Sequence, residues 1–127
     1  MWKHFLGGGL GLLLLIGGCS GPQKVVTLTP GGGQVVAMQA SSFDFDPDVI
    51  RARQGDRLVL AIENIAGRSH NFTLKDPAGV VLVSEDLSGH QTLRVVVPLT
   101  QSGEYFYYCD KPLHATFGMK GHVVVEP

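Results

Sequence analysis

Cysteine is scarce in this 127-residue chain, which has only Cys19 and Cys109. A framework of disulfide staples is therefore excluded, and the fold has to rest on an apolar core, which a chain of this length can build. An excess of charge of one sign is lacking too. Ten Lys and Arg stand against eleven Asp and Glu, a net charge of −1, and both signs are scattered along the chain. That pattern offers no basic footprint for a nucleic acid or an acidic headgroup surface, so no nucleic-acid partner is expected. Helical patterning is missing as well: no stretch places its apolar residues at the spacing of an amphipathic helix. No internal repeat is visible.

The apolar run at the N-terminus is of another kind. "MWKHFLGGGLGLLLLIGGC" has a charged start in Lys3 and His4, an apolar centre and a small-residue end, the anatomy of an export signal. It is too short and too rich in glycine for a comfortable spanning helix. Its end, "IGGC", resembles the lipobox of bacterial lipoproteins, in which the signal is cut before the cysteine and the cysteine carries the lipid. That resemblance implies a signal peptide over residues 1–18 and Cys19 as the lipidated first residue of the mature chain. It also implies an extracytoplasmic location, at the periplasmic face or the cell surface, with acyl chains adding about 0.8 kcal/mol of membrane affinity per buried methylene. An ordinary signal peptide with an incidental cysteine is the blander alternative. If Cys19 is lipidated, Cys109 is left as a single thiol in a compartment that favours disulfides, a liability unless it is buried or ligated.

Residues 19–33, "CSGPQKVVTLTPGGG", are rich in Gly, Pro, Ser and Thr and read as a flexible tether, with the folded domain over 34–127. From there the apolar period is two. Leu58, Leu60 and Ile62 share one face of "RLVLAIEN"; Leu93, Val95 and Val97 share one face of "TLRVVVPL"; Tyr105, Tyr107 and Cys109 share one face of "EYFYYC". With "VVAMQA", "DVIRA", "HNFTL", "GVVLVS" and "GHVVVEP", each bounded by Gly, Pro, Asp or Asn, about eight strands are expected. Such a set predicts an all-β sandwich, with a Greek-key arrangement favoured by analogy.

"CDKPLHATFGM" spaces Cys109, His114 and Met119 with four residues in each interval. Thiolate, imidazole and thioether are the donors that suit copper cycling between two oxidation states, usually as two His and one Cys with a long axial Met. A second histidine must come from elsewhere, and His70, His90 and His122 are available. His90 falls in a loop with acidic neighbours and His122 alternates with Val123 as if on an outer face, whereas His70 opens a β-like run after a polar turn, so His70 is favoured. Pro112 partly pre-shapes the loop, and Gly118 permits a tight turn beside Met119. Leu113, Ala115 and Phe117 give His114 an apolar collar suited to docking a redox partner. Taken singly, each residue has a duller reading: Met119 as core, Cys109 as a small buried hydrophobe, His70 as a strand-end surface residue.

"FDFDPDVIRARQGDRLVLAIEN", then "SHNF", then "GEYFYYCDKPLHATFGMKG" together resemble the cupredoxins, the blue-copper fold of plastocyanin, azurin, auracyanin and rusticyanin, from about Phe43 to Val125. The Cys-to-His interval is similar to that of auracyanin and rusticyanin. The resemblance implies one type 1 copper ion held by His70, Cys109 and His114 with Met119 as weak axial donor. It further implies that the Asn71 amide donates to the cysteine sulfur and that Tyr108 lies at a second electron port.

The function so implied is single-electron transfer between redox partners, such as a cytochrome or a membrane redox complex, with no catalysis and no small-molecule substrate. A carrier delivering copper to an oxidase and a metal-free lipoprotein binding module are the alternatives. A binuclear copper domain would need a second cysteine, and residues 110–118 contain none. A multicopper oxidase or nitrite reductase would need more histidines than the three left over.

Overall fold

Alternation of apolar and polar residues turns into paired strands along the chain. A computed structural model describes residues 22–127. Its ten strands are β1 (Val25–Thr27), β2 (Val35–Ser41), β3 (Asp44–Asp46), β4 (Val49–Arg53), β5 (Arg57–Asn64), β6 (His70–Lys75), β7 (Val81–Leu87), β8 (Thr92–Pro98), β9 (Gly103–Tyr108) and β10 (Lys120–Glu126). The described residues contain no helix. All eight expected strands are present, and the all-β sandwich is what the sequence predicted.

The two additional strands, β1 and β3, have three residues each, too short to show a period. β1 falls inside the stretch read as tether, yet it pairs in parallel with β4, and Leu28 just after it is buried. Sheet pairing in this chain therefore begins ahead of Gln34.

Six strands form one sheet in the order β1-β4-β10-β9-β6-β7 and four form the other in the order β3-β2-β5-β8. Both are mixed: β4 runs parallel to β1 and β10, and β2 runs parallel to β5, while the remaining pairs are antiparallel. The inner faces meet as the period of two requires. Val36, Met38 and Ala40 of β2, Leu58, Leu60 and Ile62 of β5, and Val95 and Val97 of β8 face Ile50, Phe72, Leu74, Tyr105, Tyr107 and Val123 of the larger sheet, all buried. Each large side chain taken out of water here contributes about 1.5–3 kcal/mol.

Two features position the site. β6 lies between β9 and β7, five of its six residues are buried, and His70, which opens it, is paired with Leu87 of β7. The turn that leads into it is fastened by Asn64, whose side-chain NH2 donates to the carbonyls of Arg68, Leu87 and Ser88 at 3.0–3.1 Å and whose Oδ1 accepts from Ala66 N–H at 3.0 Å. A Cβ at Gly89 would lie 2.6 Å from the carbonyl oxygen of Gly67, so the two turns at this end of the sandwich touch backbone to backbone.

Candidate metal centre

The segment from Cys109 to Met119 leaves β9 and returns at β10, and it closes on itself. Cys109 N–H donates to Met119 O at 3.1 Å, Met119 N–H to His114 O at 3.0 Å, Phe117 N–H to Leu113 O at 3.0 Å and Gly118 N–H to Ala115 O at 3.1 Å. Gly118 has φ 115°, a turn that a side chain would strain. Leu113 has φ 65°, a left-handed conformation that costs a residue with a Cβ about 1–2 kcal/mol, immediately before His114.

This loop brings His114 against His70 at the start of β6. The two Nδ1 atoms lie 3.2 Å apart, and His114 Nδ1 lies 3.4 Å from Cys109 Sγ. One ligand atom from each of the three residues falls within 4.8 Å of the others. Cys109 and Met119 are buried, and Met119 is held beside Cys109 and His114 by the two backbone bonds just described. Asn71 N–H donates to Cys109 Sγ at 3.3 Å, the contact expected of it. The Asn71 side chain, in turn, accepts from Thr73 Oγ1 at 2.6 Å and donates to Asp86 Oδ1 at 3.3 Å.

His70 is fully buried, and burial first, then the neighbouring His114 and Arg68, hold its pKa below the ordinary histidine value. A neutral ring with a free lone pair is the form that binds a metal. Its Nδ1 is the atom turned toward His114, while its Nε2 is buried with no hydrogen-bond partner among the described residues. Two imidazole nitrogens and a sulfur converging within 4.8 Å of one another suit a shared cation. The donor chemistry narrows the choice, because the cluster contains no carboxylate among the described residues and is poorly suited to Ca2+ or Mg2+. Nitrogen and sulfur donors with a thioether alongside fit copper.

The other expected residues separate cleanly. His90 is exposed in a turn at φ 62°, and His122 lies on the outer face of β10 with Nδ1 2.5 Å from Glu104 Oε1, so neither joins the cluster. Leu113 and Phe117 are each 63% exposed beside His114, with Ala115 half-buried. Tyr108 is half-buried on the outer face of β9, stacked on Phe106 with ring centres 5.2 Å apart and with Lys75 Nζ 5.4 Å from its own centre. Cys19 and the signal segment lie outside the described residues.

One contributor carries no mark in the sequence: Phe43, just ahead of β3, meets the His114 ring edge-on at 4.8 Å and the Phe117 ring at 5.4 Å. Only the folding of β3 against β2 brings it there.

A family model described as a cupredoxin-like domain matches residues 11–125. The chain belongs to the cupredoxin-like domain family. This cupredoxin resembles a dithionite-reduced auracyanin from the photosynthetic bacterium Roseiflexus castenholzii with a TM-score of 0.65 at 15% identity, over 76% of this chain and 100% of that one. Auracyanin B gives 0.62 at 19% identity, over 79% and 94% of the two chains. Auracyanin A, a "blue" copper protein from the green thermophilic photosynthetic bacterium Chloroflexus aurantiacus, gives 0.61 at 18% identity, over 73% and 98%. At these identities the likeness speaks to the fold. No curated protein matches the chain by sequence.

Proposed function

We propose that this cupredoxin is a mononuclear copper protein that carries single electrons, with His70, Cys109 and His114 as the strong ligands and Met119 as a weak fourth donor. The observation that carries the reading is the convergence of two imidazole nitrogens and one thiol at the end of the sandwich. Bound copper supplies the one-electron couple. The chain's own residues do the rest: β6 and the closed loop hold the donors in place, the Asn71 amide withdraws charge from the cysteine sulfur, and burial keeps water from Cys109 and His70.

His114 is the one ligand that is only half-buried, ringed by Leu113, Ala115, Phe117 and Phe43. This collar is the surface on which a redox protein, such as a cytochrome or a membrane redox complex, docks to exchange an electron through the imidazole edge. Tyr108 is a second port on the outer face of β9. The ligand set leaves no strongly open position of the kind a catalytic metal keeps, which favours a carrier over an enzyme. A lipid on Cys19 holds the domain at the outer side of a bacterial membrane.

The test is a titration of the purified protein with Cu(II), followed by its visible spectrum. An intense thiolate-to-copper charge-transfer band, reversibly bleached by a reductant and missing in Cys109→Ala, is the expected result. A colourless complex, or colour that survives Cys109→Ala, rejects the proposal.

A further inference from the structure

The ligand loop is closed by its own backbone, which leaves open what fixes it against the rest of the sandwich. Among the described residues, apart from bonds to its own stems at Cys109, Met119 and Lys120 and the ring contact of His114 with His70, a single hydrogen bond joins residues 110–118 to another part of the chain. It runs from Lys111 Nζ to Asp86 Oδ1 at 3.2 Å. The same Oδ1 accepts from Asn71 Nδ2, and Asn71 is the residue whose backbone N–H donates to Cys109 Sγ. Asp86 and Asn71 face each other across the β6–β7 ladder, so the carboxylate stands directly over the strand that presents His70 and the sulfur's donor.

We infer that Asp86 is a positioning residue: by accepting from Asn71 and Lys111 together, it clasps the Cys109–Met119 loop to β6 and fixes the register between the two halves of the ligand set. The ion pair is solvent-facing, with the Asp86 side chain 74% exposed, so its contribution to overall stability is small. Its value lies in geometry, since one acceptor atom holds donors from both sides of the site. The partner side of the clasp is well supported: Asn71 is further fixed by Thr73 Oγ1, which lies 3.3 Å from Ser84 Oγ of β7. Loosening Asp86 therefore frees the loop side and leaves β6 in place. This inference rests on the copper reading for its consequence at the metal, but the clasp belongs to the polypeptide alone.

The test compares Asp86→Ala, Lys111→Met and the double variant with the parent in two states. In the metal-free full chain, the rate at which Cys109 reacts with an aromatic disulfide reports loop opening. Each single variant is expected to raise that rate several-fold, and the double variant no further, while circular dichroism and the thermal midpoint stay at parent values. In the copper-loaded protein, each single variant is expected to shift the reduction potential and the charge-transfer band in the same direction without loss of copper. Asp86→Asn, which keeps an acceptor for Asn71, is expected to fall between parent and Ala. Unchanged thiol reactivity in both single variants, or strictly additive effects, overturns the clasp. If the chain takes up no copper while the thiol kinetics change as described, the clasp stands and the copper reading fails.

Discussion

Tyr107→Phe removes one oxygen from the centre of the sandwich, and its effect can be worked out in advance. The Tyr107 hydroxyl is fully buried and donates to Pro47 O at 2.7 Å, pinning the corner between β3 and β4 to the end of β9 before Cys109. Without it the ring still packs against Phe45 and Phe72, so little apolar contact is lost. What remains is a buried carbonyl without its donor, which costs about 1–3 kcal/mol. For a domain of this size, each kcal/mol lowers the midpoint by roughly 4–8 °C.

The same hydroxyl sets an alkaline limb. Burial first, and then the nearby Asp48, Asp44 and Asp46, push its pKa far above the usual tyrosine value of 10.0. The unfolded chain releases this proton near pH 10 while the folded chain keeps it, so the contribution of Tyr107 is complete below that pH and is lost as pH rises above it. The loss amounts to about 1.4 kcal/mol per pH unit. The Phe variant has no such loss. Urea unfolding at pH 7 and pH 11 should therefore show the variant less stable at the lower pH, with most of the gap closed at the higher. An equal gap at both values would refute the account of Tyr107 as a buried donor, and no gap at pH 7 would refute the hydrogen bond.

Gly121→Ala places a Cβ 2.5 Å from Asp48 O and against the Tyr107 ring; overpacking of this kind costs about 1–3 kcal/mol, read as a lowered urea midpoint. His90→Ala and His122→Ala should leave the colour of the copper-loaded protein intact, whereas His70→Ala should abolish or alter it; the reverse pattern would place the second imidazole elsewhere. Acid should act through His70. With its folded pKa below the ordinary 6.5, its contribution is present above pH 6.5 and lost as pH falls toward the folded value. Metal-free protein should therefore weaken below pH 6.5, and His70→Gln should weaken less steeply on the same side.

Much of this architecture could be read from the chain. The alternation in "RLVLAIEN" and "EYFYYC" marked the strands and the faces they bury, including the side on which Cys109 falls. His70 was separable from His122 because one opens a β-like run after a polar turn and the other alternates with Val123 as on an outer face; the burial of the β6 run on both faces came only with the fold. Pairing partners were not legible. That β4 lies between β1 and β10, or β2 beside β5, is decided by how the sheets close, which local pattern does not encode. Phe43 and Asp86 escaped for the same reason: each acts across a distance in sequence that only the folded sheets remove, and a lone Phe or Asp in a β-rich chain carries no signal of its own.

The backbone of the ligand loop bonds almost entirely to itself between the end of β9 and the start of β10. Such a segment behaves as a cassette. Its length and its other residues can be exchanged with little reworking of the ten strands beneath it, provided the exchange returns the Cys109, His114 and Met119 donors and hands the chain back to Lys120. Tuning of the redox properties and preservation of the scaffold are thus separable problems for this protein, and an engineer could graft a shorter or longer loop here before touching the core.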